Sequence, residues 1–214
     1  MRVLILKEVQ RLKKEIVDVT KRLYERGIVT AWGGNISARM ESENECWITP
    51  SGVFKGDLKP SQLVKIDFQG KVLEGRFKPS VEVPFHTEVY KRRPDVNAVI
   101  HSHNPVATGL GNAGIKIKPV NLEAATLGDV PIIPFAFPGT TRLAQLIGEN
   151  IVNSKAIIMK NHGVIVVGKN LMDAMATADN LENISITMVT SHLFGNLGEM
   201  ASQDFEAIRK IRKT

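Results

Sequence analysis

The sequence predicts one α/β domain in which helices cover a largely antiparallel sheet. Helical segments and short β-branched segments alternate along the 214 residues, a pattern typical of sheets packed against helices. Short strands separated by turn residues indicate hairpins, and hairpin connections make neighbouring strands antiparallel. No repeat, low-complexity segment or linker interrupts this pattern, so a single domain over residues 1–214 is expected.

The helices are predicted from apolar spacing and from residues that begin or end helices. Residues 3–26 carry apolar side chains every three or four positions, and Gly27 is a natural stop. Pro84 suits a first helical turn, and Thr140 and Asn170 are expected N-caps. The predicted helices are 3–26, 84–93, 104–111, 142–150 and 171–194, with a basic helix after a break at 195–198.

The strands are predicted from β-branched runs bounded by turn residues. Residues 63–68 alternate in polarity and end at Gln69-Gly70, so that residues 71–74 complete a hairpin. Residues 96–100 form a short β-branched run and are interpreted as a buried strand. Further strands are predicted at 46–49, 130–134, 155–159 and 164–168, and residues 33–37 form a loop that leads into a strand.

Composition narrows the class of protein and its partners. No apolar run approaches the roughly 20 residues of a membrane helix, and the N-terminus lacks a signal-peptide pattern, so a cytoplasmic protein is expected. Cys46 is the only cysteine, which agrees with a reducing compartment. The net charge is +6, but the basic clusters at 91–93 and 209–213 contain no aromatic residues. Neither nucleic acid nor membrane is an expected partner.

Three histidines follow apolar runs and suggest a metal site. His101 and His103 stand at the end of the predicted strand 96–100 and face the same side, because side chains alternate along a strand. His162 follows the apolar run 156–159 in an Asn-His-Gly turn. Three imidazoles with one open position are typical of catalytic zinc, although spacing alone does not bring His162 to the other two. His86, on a predicted helix, is expected to pack or to support the site.

Glu82 has two interpretations from its sequence context. A carboxylate just before a helix is favoured electrostatically at that N-terminus and is often a plain surface group. Its neighbours Val81 and Val83 are apolar and are flanked by prolines, an environment that would raise its pKa and suit an acid/base role.

Three turns rich in glycine, serine and asparagine also have two interpretations. They are Gly33-Gly34-Asn35, Thr49-Pro50-Ser51-Gly52 and Pro79-Ser80. Such clusters are usually plain turns, but their N–H groups also form nests that hold phosphate oxygens. Their presence beside a metal constellation favours a phosphorylated substrate.

These segments together resemble the class II aldolase/adducin family, and within it the fuculose-phosphate aldolases. The resemblance covers residues 10 to 195 approximately and leaves a C-terminal helix or tail at about 199–214. The matching stretches, in the family's order, are 33–37, 48–52, 79–82 with His86, 95–104, 130–139 and 160–163.

The resemblance implies a fold, an assembly and a set of site residues. The implied fold is a three-layer α/β/α sandwich around a mainly antiparallel sheet, and the implied assembly is a homotetramer with active sites at subunit interfaces. His101, His103 and His162 are implied ligands of zinc or of another divalent transition metal. Glu82 is the implied proton-transfer residue and a resting metal ligand. The implied phosphate cradle consists of Gly34, Asn35, Ser51, Gly52 and Ser80.

The resemblance also implies a reaction. It is the cleavage of a deoxyketose 1-phosphate, such as L-fuculose 1-phosphate, to dihydroxyacetone phosphate and a small aldehyde such as lactaldehyde through a metal-stabilised enediolate. Glutamate at position 82, where the family's epimerases carry aspartate, favours the aldolases. Two alternatives stay open: a dehydratase of a phosphorylated ketose, like the methylthioribulose-phosphate dehydratases, and a non-catalytic adducin-like module.

Two positions depart from the pattern of some aldolases in the family. Val81 stands where they carry a second serine for phosphate. The segment 119–128 lacks their aldehyde-protonating tyrosine, and the chain's only tyrosines are Tyr24 and Tyr90.

Overall fold

An eight-stranded sheet with the strand order β4-β3-β2-β1-β5-β8-β7-β6 runs through the protein. The structure, a computed structural model, describes residues 2–40 and 44–211. Neighbouring strands in this sheet are antiparallel except β6 and β7, which are parallel. The mainly antiparallel sheet is therefore confirmed. The strands are β1 (Asn35–Ala38), β2 (Glu45–Ile48), β3 (Val64–Asp67), β4 (Val72–Glu74), β5 (Ala98–Ser102), β6 (Ile132–Ile133), β7 (Ala156–Met159) and β8 (Gly163–Gly168).

Helices cover both faces of the sheet, because strand side chains alternate between two separate apolar cores. One core joins α1, α3, α4 and α6 to side chains such as Ile158, and the other joins α2 and α5 to side chains such as Ile157. This confirms the three-layer α/β/α sandwich. The helices are α1 (Arg2–Glu25), α2 (Val83–Arg92), α3 (Pro105–Asn112), α4 (Leu122–Leu127), α5 (Thr141–Ile151), α6 (Leu171–Phe194) and α7 (Ser202–Ile211).

Several elements differ from the sequence-based expectation. The strand predicted at 96–100 lies at Ala98–Ser102, and two 3-10 turns, Lys55–Asp57 and Pro60–Gln62, were not predicted. Helix α4 was not predicted, because it is too short to show helical periodicity, although Asn121 caps it by accepting a hydrogen bond from Ala124 N. Strand β6 is shorter than the predicted 130–134, because Pro131 and Pro134 bracket it and proline cannot donate to a strand ladder. The predicted C-terminal helix is present as α7 and packs against α4, and the predicted tail beyond residue 211 lies outside the described residues.

The strand register at the centre of the sheet positions the histidine pair. Asn35 of β1 lies opposite His101 of β5, and His101 in turn lies opposite Ile165 of β8. The start of β1, the end of β5 and the start of β8 therefore lie side by side at one end of the central strands. In the part of the chain described here, no helix is both long and apolar enough to span a membrane.

A glycine in α3 tests how tightly the helix packs on the sheet. A methyl group at Gly111 would overlap Ile158 Cγ2, whereas Gly109 of the same helix faces open space. We expect Gly111→Ala to lower the free energy of unfolding by about 1–3 kcal/mol through overpacking. Gly109→Ala is the matched control and should raise it, by up to about 1 kcal/mol, because alanine favours helix. Urea denaturation measures both, and equal effects would contradict this packing.

Candidate metal centre and active site

The imidazoles of His101, His103 and His162 meet where β5 ends and β8 begins. His101 lies on β5, His103 follows it directly, and His162 occupies the turn between β7 and β8. Their nitrogen ligand atoms all lie within 4.8 Å of one another, and the Nε2 atoms of His101 and His103 are 3.1 Å apart. The fold thus brings the third histidine to the pair, which the sequence spacing alone did not establish.

The protonation of His101 suits a metal ligand. Its Nδ1 lies 2.9 Å from the carbonyl oxygen of Val164, and because a carbonyl only accepts, Nδ1 carries the proton. The lone pair of Nε2 therefore faces the other two rings. Burial lowers the pKa of His101 to about 4 against the raising effect of Glu82, and burial also lowers the pKa of His103. Neutral imidazole, the form that binds metals, is thus the stable form.

Glu82 lies beside the histidine cluster at the N-terminus of α2. Its Oε2 is 3.3 Å from His101 Nε2, and its Oε1 is 3.2 Å from His162 Nε2. Asn35 Nδ2 donates a hydrogen bond of 2.7 Å to Oε2. With only 4% of its surface exposed, Glu82 is a buried carboxylate and not the plain surface group of the alternative interpretation.

The expected rise in the pKa of Glu82 is wrong. Burial by itself raises this pKa, but the contacts with His101, His162 and Asn35 outweigh burial and lower it to about 2. Val83 is buried as the sequence suggested, but Val81 is 55% exposed, and the carboxylate is surrounded by polar groups rather than by an apolar pocket. Glu82 is therefore ionised at neutral pH.

The donor set fits a divalent metal ion. Glu82 Oε1 is buried and makes no hydrogen bond within the described residues, because its contact with His162 lacks hydrogen-bond geometry. Burying such an atom costs free energy unless it has a partner, and a cation is a suitable partner for an anionic oxygen beside a cluster of imidazoles. Three imidazoles and a carboxylate are ligands that zinc accepts.

Two glycines bring the backbone against the imidazoles. A Cβ atom at Gly33 would lie 2.5 Å from His103 Cε1. A Cβ atom at Gly163 would overlap Ser102 O and would lie 3.1 Å from His101 Cε1. The structure therefore gives these glycines a steric role around the histidines, whereas the sequence suggested an anion nest for Gly33.

The proposed phosphate residues fall into two groups. Ser51, Gly52 and Ser80 lie on neighbouring loops, which are joined by a bridge between Pro50 and Pro79 and by a hydrogen bond from Ser51 N to Lys78 O of 2.9 Å. Ser80 Oγ accepts a hydrogen bond of 3.2 Å from Glu82 N, so this group adjoins the carboxylate. A Cβ atom at Gly52 would meet no described atom within 4 Å, which leaves room for a ligand there.

Gly34 and Asn35 form the second group, on the histidine side. Gly34 has a φ of +83°, and a Cβ atom there would lie 3.0 Å from His101 O. The Asn35 side chain already bonds Glu82 and lies with its Oδ1 2.5 Å from His86 Nε2. His86 is fully buried and contacts the Asn35 side chain, whereas His192 lies exposed on α6.

Lys55 was overlooked in the sequence. Its side chain is only 2% exposed, and its Nζ donates to the carbonyl oxygens of Val53 and Pro50 at 3.2 and 3.5 Å. Burial lowers its pKa. Lys55 begins a single 3-10 turn, Lys55–Asp57, which is too short to show periodicity. Only the fold shows that its side chain bonds the carbonyls on either side of the Ser51-Gly52 turn.

Comparison with known proteins assigns the family. The family described as "Class II Aldolase and Adducin N-terminal domain" matches residues 14–189, and the chain belongs to it. A solved structure of an L-fuculose 1-phosphate aldolase superposes with a TM-score of 0.89 at 28% identity, covering 95% of this chain and 97% of that one.

Two relatives of known activity agree with this family. A 5-deoxy-D-ribulose 1-phosphate aldolase of Bacillus thuringiensis serovar kurstaki is 32% identical over 81% of this chain and 82% of its own. A 3-oxo-tetronate 4-phosphate decarboxylase of Haemophilus influenzae is 34% identical over 82% of this chain and 84% of its own. Aldolases and decarboxylases both break carbon–carbon bonds, and this chain is an enzyme of that lyase class, which sets aside the non-catalytic alternative.

Acid stability tests the buried imidazoles. Burial lowers the pKa of His86 to about 3, so between pH 6.5 and pH 4 the unfolded chain binds a proton that the folded chain does not. The stability contributed by the neutral ring is therefore present at pH 7 and is lost on acidification. Acidification from pH 7 to pH 4 should lower the unfolding free energy of both metal-free proteins. We expect the decrease to be about 3 kcal/mol smaller in His86→Gln than in the parent. Urea titrations with a chelator measure this, and parallel pH profiles would contradict it.

Proposed function

We propose that this enzyme is a zinc-dependent aldolase that cleaves a deoxyketose 1-phosphate, such as L-fuculose 1-phosphate, to dihydroxyacetone phosphate and a small aldehyde such as lactaldehyde. The observation that carries the proposal is the cluster of three imidazoles, two of which contact a buried, ionised carboxylate. The family supports the same reaction class, and its aldolase relatives act on phosphorylated substrates by their names.

The metal would be held by His101, His103 and His162, with Glu82 as a further ligand in the resting site. Zinc suits this set, although manganese, cobalt and iron also bind imidazoles. When bound, the ion supplies Lewis-acid polarisation of the substrate's carbonyl and hydroxyl oxygens.

Glu82 is the proposed proton-transfer residue. As the C3–C4 bond breaks, the C4 hydroxyl gives up its proton to water and becomes the carbonyl of the leaving aldehyde, and the bonding electrons stay on C3, next to the C2 carbonyl. A proton must then be delivered to C3 to give dihydroxyacetone phosphate. Glu82 lies against two of the proposed ligands, His101 and His162, and can carry that proton to and from the fragment held there.

The phosphate would bind at the neighbouring loops beside Glu82. The open space at Gly52 and the buried ammonium of Lys55 beneath the turn support an anion there, because a fixed cation raises the local potential. The proposed cradle consists of Gly34, Asn35, Ser51, Gly52 and Ser80.

A homotetramer with interfacial active sites is part of the proposal. Apolar side chains are exposed on the loop before α5: Phe137 is 72% exposed and lies against Phe135 with a ring separation of 5.3 Å. Gly139, on the loop that carries Phe137, lies close to Val81, the residue before Glu82. Such exposed apolar groups favour burial in an assembly. The proposed compartment is the cytoplasm, in keeping with the single, buried Cys46.

A second candidate is the decarboxylation of a phosphorylated 3-oxo acid, by similarity to the Haemophilus protein. One structural observation favours it. Tyr24 packs edge-on against Phe54 and Tyr90 is buried in the core, so neither replaces the tyrosine that segment 119–128 lacks. Carbon dioxide leaves a carboxylate without any proton transfer to an aldehyde oxygen, so decarboxylation does not need that tyrosine.

Product analysis separates the candidates. Decarboxylation of a 3-oxo-tetronate 4-phosphate leaves the same dihydroxyacetone phosphate as aldol cleavage, so the second product must be measured. We expect zinc-loaded protein to release aldehyde with dihydroxyacetone phosphate from L-fuculose 1-phosphate or 5-deoxyribulose 1-phosphate, with loss on chelation and recovery with zinc. Carbon dioxide from the 3-oxo acid alone would support the second candidate. Loss of water with the carbon skeleton intact would support the dehydratase.

Substitution of two glutamates tests the role of Glu82 in this assay. Glu82→Gln should lower turnover by about 10²–10⁴-fold, because it removes the proton carrier. Glu149→Gln, exposed on α5, should leave turnover unchanged. An active Glu82→Gln enzyme would remove Glu82 from the mechanism.

Metal content tests the ligand assignment directly. We expect His103→Ala to lose stoichiometric zinc, since it removes one of three imidazoles, and to keep its fold, since His103 is only partly buried. His192→Ala, exposed on α6, is the matched control and should retain the metal. Metal analysis after dialysis measures both, and full zinc occupancy in His103→Ala would rule out the assignment.

A further inference from the structure

A chain of buried hydrogen bonds runs from Glu82 into the protein core. Asn35 Nδ2 lies 2.7 Å from Glu82 Oε2, and Asn35 Oδ1 lies 2.5 Å from His86 Nε2. His86 Nδ1 lies 2.7 Å from Ser37 Oγ, which lies 2.8 Å from the hydroxyl of Tyr90. All five residues are buried.

The fold builds this chain as a ladder between one strand and one helix. Asn35 and Ser37 are alternate residues of β1 and therefore face the same side. Glu82, His86 and Tyr90 recur one helical turn apart from the N-cap along α2, and so they share one helix face. Each contact joins the strand to the helix, so the spacing of both elements sets the order of the chain.

The carboxylate determines the direction of every hydrogen bond. An ionised carboxylate only accepts, so the amide of Asn35 must present Nδ2 to it and Oδ1 to His86. His86 Nε2 must then carry the proton, which leaves Nδ1 as an acceptor. Ser37 Oγ donates to Nδ1 and accepts from Tyr90. One arrangement satisfies all four contacts, and the amide cannot rotate without breaking two of them.

We propose that His86, Ser37 and Tyr90 are positioning residues that lock the amide of Asn35, and through it hold the Glu82 carboxylate with Oε1 directed at the metal centre. This inference rests on the proposed function in taking Glu82 as a metal ligand. It adds three residues that touch neither the metal site nor the substrate. It also gives Asn35 a role besides the phosphate cradle.

Two amide substitutions at position 86 separate the hydrogen bond from mere packing. The amide nitrogen of glutamine reaches the place of Nε2, so His86→Gln can still donate to Asn35 Oδ1. Asparagine is shorter and reaches only the place of Nδ1, so His86→Asn cannot. His86→Gln keeps the contact with Asn35 and loses only the one with Ser37. We therefore expect it to bind zinc more tightly than His86→Asn, which should weaken zinc affinity by about 10–100-fold, the usual effect of losing a group that orients a ligand.

A double-substitution cycle tests whether His86 acts through Asn35. Zinc affinity is measured by competition with a chromogenic chelator for both His86 variants, in the parent and in the Asn35→Ala background. With the amide absent, the two variants should bind zinc equally. A difference that persists in Asn35→Ala, or no difference in the parent, would overturn the inference.

A milder variant covers the case in which His86→Asn does not fold, as judged by circular dichroism. Ser37→Ala removes the donor to His86 Nδ1 with little change in volume, and it should weaken zinc binding in the parent but not in the Asn35→Ala background. Tyr90→Phe should act in the same direction. Tyr24→Phe, outside the chain on α1, should have no effect. Unchanged affinity in both Ser37→Ala and Tyr90→Phe would overturn the inference.

The same measurements distinguish this inference from the proposed function. If the affinities follow the expected pattern while none of the candidate phosphates is turned over, the proposed reaction fails and the positioning chain stands. If the enzyme is active and the affinities do not follow the pattern, the positioning chain fails alone. A protein that binds no divalent metal overturns both.

Discussion

The buried negative charge of Glu82 is the constraint on which the rest of the site depends. A carboxylate removed from water requires donors or cations on every side. Asn35 on β1 is a donor to it, and His101 on β5 and His162 between β7 and β8 lie against it, where a cation would complete the set of partners. The strand order of the sheet brings these segments together at one end of the central strands, so the environment of the buried charge depends on the topology of the sheet.

Local features of the site were readable from the sequence, and long-range ones were not. Strand alternation predicted that His101 and His103 share a face, and capping residues predicted α5 and α6. The approach of His162 depends on the pairing of β5 with β8, which no local pattern specifies. The pKa of Glu82 was expected with the wrong sign for the same reason, because the groups that lower it are distant in sequence.

The two candidate reactions share one half of the substrate and differ in the other. Both leave a phosphorylated three-carbon fragment, and both need its carbanion stabilised next to a carbonyl. In the proposed site, the histidines, Glu82 and the Ser51 and Ser80 loops would hold that common half. The leaving group concerns the other half, where segment 119–128 lacks a tyrosine and folds into the short helix α4. The residues proposed to bind the common half and the segment that bears on the leaving group are thus different parts of one fold.

The hydrogen bond from His101 to Val164 couples the metal centre to the sheet. Val164 belongs to β8, which pairs with the strand that carries His101. The central pair of strands, β5 and β8, therefore fixes the orientation of the His101 ring. A bound ion adds its binding free energy to the stability of that pair, because separating the strands would release the ligand. With an ion bound, exchange of the β5 and β8 amide protons with solvent would be slower, because opening this strand pair would also require release of the ion.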